Sequence, residues 1–360
     1  MTITRRLLST ASRKLYFSST RKDPTATLIA HILRENVHSN EPNAPFLFSP
    51  DSSDARKAAL SFSDFRDQSY AFAKALKDLD YTNKDTNEEN RPLAIRLGDS
   101  PELLVALTGA LLAGVKVQSS KTSPEFLEAK SFGSLVHSGF ADKAGKMIGN
   151  HEPIAVGPAG LKEKVVHWDV LINAYNGYKD DGDDASMTSE NEALFYFNST
   201  EKGDGAETLF RYGEQAANAM ELGREDVVMV GVPLLHAMGF GFGALGAMMA
   251  GAKIMVPGKC DGIVDDSVKI DRADNAKRAL SSGSSSSISG NGGGNSNDEM
   301  VTAMVSDMHI VRALREEDGN RALLKNVRTG LVKVGGGANV GEHAPVDMLG
   351  VPMVTVGRMK

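Results

Sequence analysis

The apolar positions of this chain fall into a pattern that occurs twice. In the first copy, residues 93–97 read as a short buried strand, and Ser100 and Pro101 follow as the cap and first turn of a helix. Leu103, Leu104, Leu107, Leu111 and Leu112 then recur at helical spacing until Gly114 closes the helix. Residues 115–117 supply the next strand, so the segment predicts a βαβ unit with a right-handed crossover. The second copy has a strand at 227–232, a helix over about 238–250, Gly251 as its stop and a strand at 254–256. Even the junctions correspond: Leu111-Leu112-Ala113-Gly114-Val115-Lys116-Val117 matches Met248-Met249-Ala250-Gly251-Ala252-Lys253-Ile254.

A helix over 62–79 precedes the first copy, and a helix over 307–315 precedes a strand at 331–334. That strand runs into Gly335-Gly336-Gly337, where glycine is needed either for a tight turn or for close approach of backbone to a ligand. The expected fold is α/β: two similar subdomains of mixed or parallel sheet flanked by helices, over 23–179 and 193–360. Between them, Asp180, Asp181, Asp183 and Asp184 crowd around Gly182, and the stretch 180–192 reads as an exposed acidic linker. Its acids lack the alternation and closing glutamate of a calcium loop. Residues 281–297 are almost wholly Ser, Gly and Asn, which predicts a flexible surface insertion within the second subdomain.

Composition narrows the function classes. A formal net charge of -6 argues against a nucleic-acid partner, which would draw a basic face. The one cysteine, Cys260, cannot form an internal disulfide, and no Cys/His cluster has zinc spacing. The longest apolar stretch, 237–250, is broken by four glycines and is too short to span a bilayer, so no transmembrane segment is expected.

The first twenty-two residues carry Arg5, Arg6, Arg13, Lys14, Arg21 and Lys22 with several hydroxyl residues and no acid. Leu7, Leu8, Ala11 and Leu15 fall at roughly helical spacing, so 1–22 reads as a mitochondrial transit peptide directing the chain to the matrix. A plastid address and a plain basic tail are the alternatives.

Four motifs stand in a fixed order on this frame: the strand, Ser100-Pro101-Glu102, helix and Ala113-Gly114 run; Trp168-Asp169; Pro233-Leu234-Leu235-His236-Ala237-Met238-Gly239; and Gly335-Gly336-Gly337-Ala338. Together, from about residue 60 onward, they resemble the large amino-terminal domain of the adenylate-forming superfamily of AMP-dependent synthetases and ligases, which includes acyl-CoA synthetases and luciferases. The resemblance implies carboxylate activation in fatty or organic acid metabolism, with ATP and magnesium as cofactors, an acyl or small carboxylate ligand, and CoA as a substrate. It puts Gly336, Gly337 and Ala338 against adenine, and His236 with Gly239 beside the acyl pocket. Read without the family, His236 is a core histidine capping the helix that follows it.

The family's triphosphate loop reads Thr-Ser-Gly-Ser/Thr-Thr-Gly-x-Pro-Lys-Gly, and the counterpart here is Tyr196-Phe197-Asn198-Ser199-Thr200-Glu201-Lys202-Gly203-Asp204-Gly205. Ser199, Thr200 and Gly205 match as nucleotide-binding residues. Asn198 and Glu201 replace glycines, and Asp204 replaces the lysine. At the end of the chain, Val356-Gly357-Arg358-Met359-Lys360 keeps the glycine alone of the family's Tyr-Gly-x-Thr-Glu, and the family's carboxy-terminal lid domain is not expected here. No residue is assigned a catalytic or metal-binding role. Two readings follow: a ligase-like protein of impaired activity, or a non-catalytic relative that serves as a binding or scaffold subunit among mitochondrial protein partners. An incomplete copy of a longer ligase is a third.

Overall fold

A computed structural model describes residues 28–37, 42–49, 59–79, 92–119, 133–137, 154–156, 165–176, 193–197, 203–258, 272–282 and 300–358. Residues 1–22, the acidic stretch 180–192, Cys260, Ser199 and Thr200 lie outside them, as does the segment 283–297.

The chain starts with helix α1 (Leu28–Ile32), strand β1 (Pro45–Phe48), β2 (Ala59–Ser61) and α2 (Phe62–Asp78). A capping box opens α2: Ser61 Oγ accepts from Asp64 N at 3.0 Å, and Asp64 Oδ2 accepts from Ser61 N at 3.3 Å. The first βαβ unit follows as β3 (Leu93–Arg96), α3 (Pro101–Ala113) and β4 (Val117–Ser119). Ser100 Oγ caps α3 by accepting from Leu103 N at 3.2 Å, and Pro101 takes the first turn, where its missing N–H costs nothing.

The chain continues through β5 (Gly133–His137), β6 (Ile154–Val156), β7 (Val166–His167), α4 (Trp168–Tyr175), β8 (Leu194–Tyr196), β9 (Asp204–Gly205) and α5 (Ala206–Ala219). The second unit is β10 (Val227–Val230), a π-helical segment (Met238–Leu245), α6 (Gly246–Ala250) and β11 (Lys253–Met255). Then come α7 (Arg272–Ser282), β12 (Ala303–Asp307), α8 (Met308–Arg315), β13 (Thr329–Lys333), β14 (Gly336–Val340), β15 (Val346–Met348) and β16 (Val351–Arg358). Helix α7 takes in Ser281 and Ser282, the first two residues of the expected flexible insertion.

The twofold pattern survives at the level of single hydrogen bonds. Gly114 and Gly251 both adopt left-handed backbone, with φ of 71° and 68°. Val115 N donates to Ala110 O at 2.9 Å, as Ala252 N donates to Ala247 O at 2.9 Å, and each glycine N–H reaches the carbonyl three residues back. Both helices therefore end in the same Schellman turn. That turn consumes the Val115 N–H, which is why the strand begins at Val117 rather than at the expected 115.

Two sheets result. The first runs β7-β6-β5-β3-β4-β8-β9, and the second β14-β16-β13-β12-β10-β11-β1-β2 with β15 beside β16. Neighbours are parallel except for β8 with β9, β1 with β2, and β14 and β15 with β16. The sheets do not divide where the two expected subdomains do. Strand β1 pairs with β11 of the second sheet, and β8 pairs with β4 of the first, so each half of the chain completes the other's sheet.

Period-two alternation explains the layering of the second sheet. Val228, Val230, Val305 and Leu331 point into a core shared with α2, α3, α5 and the first sheet, whereas Val227, Met229, Met304 and Val332 point to an outer core closed by α7 and α8. Phe195 of β8 stacks on Phe240 of the π segment with centroids 5.4 Å apart, joining the first sheet to that shared core.

Candidate functional site

Doubly wound sheets present ligands to the carboxyl ends of their strands, and the described residues among those singled out from the sequence lie in three separate places: His236 and Gly239 after β10, Gly205 at the end of β9, and Gly336, Gly337 and Ala338 after β13. Residue Asp99, just past β3, accepts from Leu234 N at 2.8 Å and ties the end of the first unit to the loop after β10. Two residues on, His236 Nδ1 accepts from Met238 N at 2.9 Å, while His236 O accepts from Phe240 N at 2.9 Å. The side chain is half-buried and holds the entry to the π segment, which fixes Nδ1 as the acceptor nitrogen.

The expected α-helix over 238–250 begins instead as the wider π turn and becomes α-helical only at Gly246. Its glycines are there for backbone contact. A Cβ on Gly239 would fall on Pro233 O, and one on Gly243 would meet Val230 Cγ1 at 2.9 Å. Packing against β10 demands glycine at 243 and packing against the loop after it demands glycine at 239, so Gly239 is a buried packing residue.

Strands β8 and β9 form a hairpin in register Leu194↔Gly205 and Phe195↔Asp204, so Asp204 is set one residue before the Gly205 that precedes α5. Gly205 has an ordinary φ of -75°, and a Cβ there would make only ordinary contact with Leu194. Gly205 caps α5 without a side-chain acceptor, while Asp204 and Glu207 bring negative charge to the positive end of the helix.

Two further residues come under the influence of Asp204, and the sequence reading missed both. The first is Lys333, the last residue of β13, whose Nζ donates to Gly337 O at 2.6 Å. Burial pulls its ammonium below the usual lysine value, and the Asp204 carboxylate opposes that shift. The second is Tyr212 of α5, stacked on Phe242 at 4.6 Å, with its phenol pushed up first by burial and then by Asp204. Asp204 therefore acts on α5 and β13 at once. The signal for Lys333 was a single charge ending an apolar strand just before the glycine run.

That glycine run carries the chain from β13 past β16 to the sheet edge at β14. Gly337 has a φ of 85°, and a Cβ on Gly357 would meet Gly335 O at 2.7 Å. The close approach is therefore of backbone to backbone. Gly336 is different: it is exposed, and a Cβ there would meet no atom within 4 Å. Ala338 lies in β14 with them. Trp168 begins α4 and packs on Phe72 with centroids 5.0 Å apart, a structural contact. Among the described residues there is no group of His, Cys, Asp and Glu suited to a metal ion, and no helix long and apolar enough to cross a membrane.

No family model matches the chain, and no curated protein matches it by sequence. Solved structures do. An anthranilate CoA ligase in complex with anthranoyl-AMP superposes with a TM-score of 0.62 at 15% identity, over 92% of this chain and 60% of that one. The o-succinylbenzoate CoA synthetase of Bacillus subtilis, in complex with ATP and magnesium ion, gives 0.54 at 17% identity, over 86% and 55%. The N-terminal domain of FACL13 from Mycobacterium tuberculosis gives 0.59 at 14% identity, over 93% and 76%. The chain spans 60% or less of the first two ligases. Its mainly parallel sheets and the helices that cover them are thus those of a known architecture, and the chain has the fold of the large amino-terminal domain of adenylate-forming acyl-CoA ligases.

Proposed function

We propose that this protein is an acyl-CoA synthetase-like ligase whose ATP-dependent activation of a fatty or organic acid is impaired. One observation carries the reading: Asp204, a carboxylate fixed by the β8–β9 register at the amino end of α5, stands where the resembling family has a lysine. A helix amino terminus favours an incoming phosphate, but here Asp204 and Glu207 already supply the negative charge. Asp204 and Glu207 do not fit a magnesium triphosphate at this helix end. A unit charge about 4 Å from a phosphate at an effective dielectric of about 20 is worth roughly 4 kcal/mol. Even about 3 kcal/mol of that weakens binding roughly a hundredfold. The acid-free basic residues 1–22 support a mitochondrial matrix location, and a carboxylate ligand beside the loop after β10 is the natural substrate class.

Calorimetric titration of the full chain with magnesium ATP tests this, with Asp204→Lys in parallel. The expected result is weak binding by the unaltered protein and roughly hundredfold tighter binding by the variant. Micromolar binding by the unaltered protein overturns the reading. Binding by neither turns it to the scaffold alternative, in which mitochondrial protein partners replace the nucleotide.

A further inference from the structure

Two helices close the outer core of the second sheet, and they are held there by different means. Helix α8 buries Ile310, Val311 and Leu314 within eight residues. Helix α7 has eleven residues, and its buried apolar side chains are Ala273, Ala276, Ala279 and Leu280, with the amide of Asn275 buried beside them. Burying one leucine and three alanines returns less than ordering eleven residues costs, so apolar contact alone does not hold this helix. Two ion pairs tie it to its neighbours: Arg272 Nη1 donates to Asp307 Oδ2 at 2.6 Å, and Lys277 Nζ donates to Glu317 Oε1 at 2.7 Å. Both pairs are only partly buried. Arg272 is the first residue of α7, where a cation opposes the helix dipole, so its place serves Asp307 rather than its own helix. The other oxygen of Asp307 caps α8, accepting from His309 N and Ile310 N at 3.1 Å each.

We propose that α7 is an ionic latch, a helix that opens and closes on the outer core as one unit while the rest of the fold stays shut, its closed population set by these two pairs and hence by ionic strength. Strand β12 is paired on both sides, to β10 and β13, and opens only with the whole sheet. Helix α8 is anchored by three branched side chains, which salt does not loosen. Partly exposed charges are the contacts that salt screens, so added salt acts on α7 before it acts on either neighbour. The core that α7 helps to close is lined by Met229, Met255, Met304, Met348 and Met353. Methionines repack readily when a neighbour leaves, and the sheet beneath can therefore remain folded while α7 is away. The latch is independent of any ligase activity.

The test is hydrogen exchange of the full chain, read by mass spectrometry at low and high salt, with the amides of α8 and β12 as internal references. At low salt the amides of Ala276 and Ala279 should exchange together and at least about tenfold faster than those of β12. At high salt they should exchange about threefold faster again, with α8 and β12 unchanged. Arg272→Gln and Lys277→Gln should each speed α7 about threefold at low salt and flatten its response to salt. Lys277→Glu should speed it further, and adding Glu317→Lys, which exchanges the two charges, should restore the protection. Exchange of α7 as slow as that of β12 overturns the proposal, because the helix then opens only with the whole fold. Fast exchange that ignores salt overturns it too, as does an exchanged pair that restores nothing. The salt comparison needs no substitution, so it decides the matter should a variant fold poorly.

Discussion

Arg328 holds Asp226 with two nitrogens, Nη2 at 2.6 Å from Oδ2 and Nε at 3.1 Å from Oδ1. Each stands just before a strand, Asp226 before β10 and Arg328 before β13, so the pair fastens the amino ends of these two strands of the second sheet. Gly223 N and Thr302 Oγ1 also donate to Asp226, at 2.8 Å and 2.7 Å, and Arg328 reaches Met220 O and Glu221 O at 3.0 Å each. Asp226 is 1% exposed. Asp226→Ala should cost about 3 kcal/mol in urea unfolding, and Arg328→Met about 2 kcal/mol because water reaches the guanidinium side. A loss below about 0.5 kcal/mol for both would mean that the network contributes nothing net.

Glycine at 239 and glycine at 336 should behave oppositely. Gly239→Ala drives a methyl onto Pro233 O, which is backbone and cannot swing aside, so a loss of about 3 kcal/mol or failure to fold is expected. Gly336→Ala meets open space and should stay within about 0.5 kcal/mol. Thermal unfolding of the two variants decides the matter; a tolerated Gly239→Ala would remove the packing explanation of the π segment.

His236 Nδ1 accepts the Met238 N–H at the entry to the π segment. Replacing it with alanine strands the Met238 N–H and should cost about 1 kcal/mol. Asparagine at 236 can accept from the N–H two residues on, and it should recover at least half of that loss. Equal stability of the Ala and Asn variants would show that the hydrogen bond does not matter.

Lys277 donates to Glu317 at 2.7 Å and holds the exposed Glu317 carboxyl below its usual value, chiefly through that hydrogen bond. Above the ordinary glutamate pKa the carboxylate is charged whether the chain is folded or not, and the pair contributes fully. As pH falls, the unfolded chain takes up the proton first, and the contribution vanishes as pH drops through the lowered folded value. The stability difference between the unaltered protein and Lys277→Gln should therefore be largest above the ordinary glutamate pKa and should fall toward zero as pH drops through the lowered folded value.

The fold was legible because its repeated unit is local. Ser100, Pro101 and Gly114 mark a helix within a few residues of themselves, and the same junction recurs at Gly251. What the sequence could not carry were the non-local choices. Nothing near Pro45 says that β1 pairs with β11, and nothing in Leu194 or Phe195 says that their strand crosses into the first sheet. The π segment at Met238 sets Gly243 against Val230, a contact that periodicity does not see. Among the candidate site residues, Asp204 stood out as a departure from a motif, but Lys333 and Tyr212 belong to no motif. They are joined to Asp204 only by the folding of α5 and β13 around one hairpin.

The crossing of the two halves bears on how the chain is made. Leu47 and Phe48 find their partners only when Ile254 and Met255 have been synthesised. Until then β1 has β2 alone, and its other edge is a row of free backbone groups. Such long-range pairing slows folding and exposes strands to wrong partners. A nascent chain that has passed α5 but not reached β11 is thus the stage most open to chaperone capture, and a ribosome stalled there would hold an unfinished second sheet however complete the first one is.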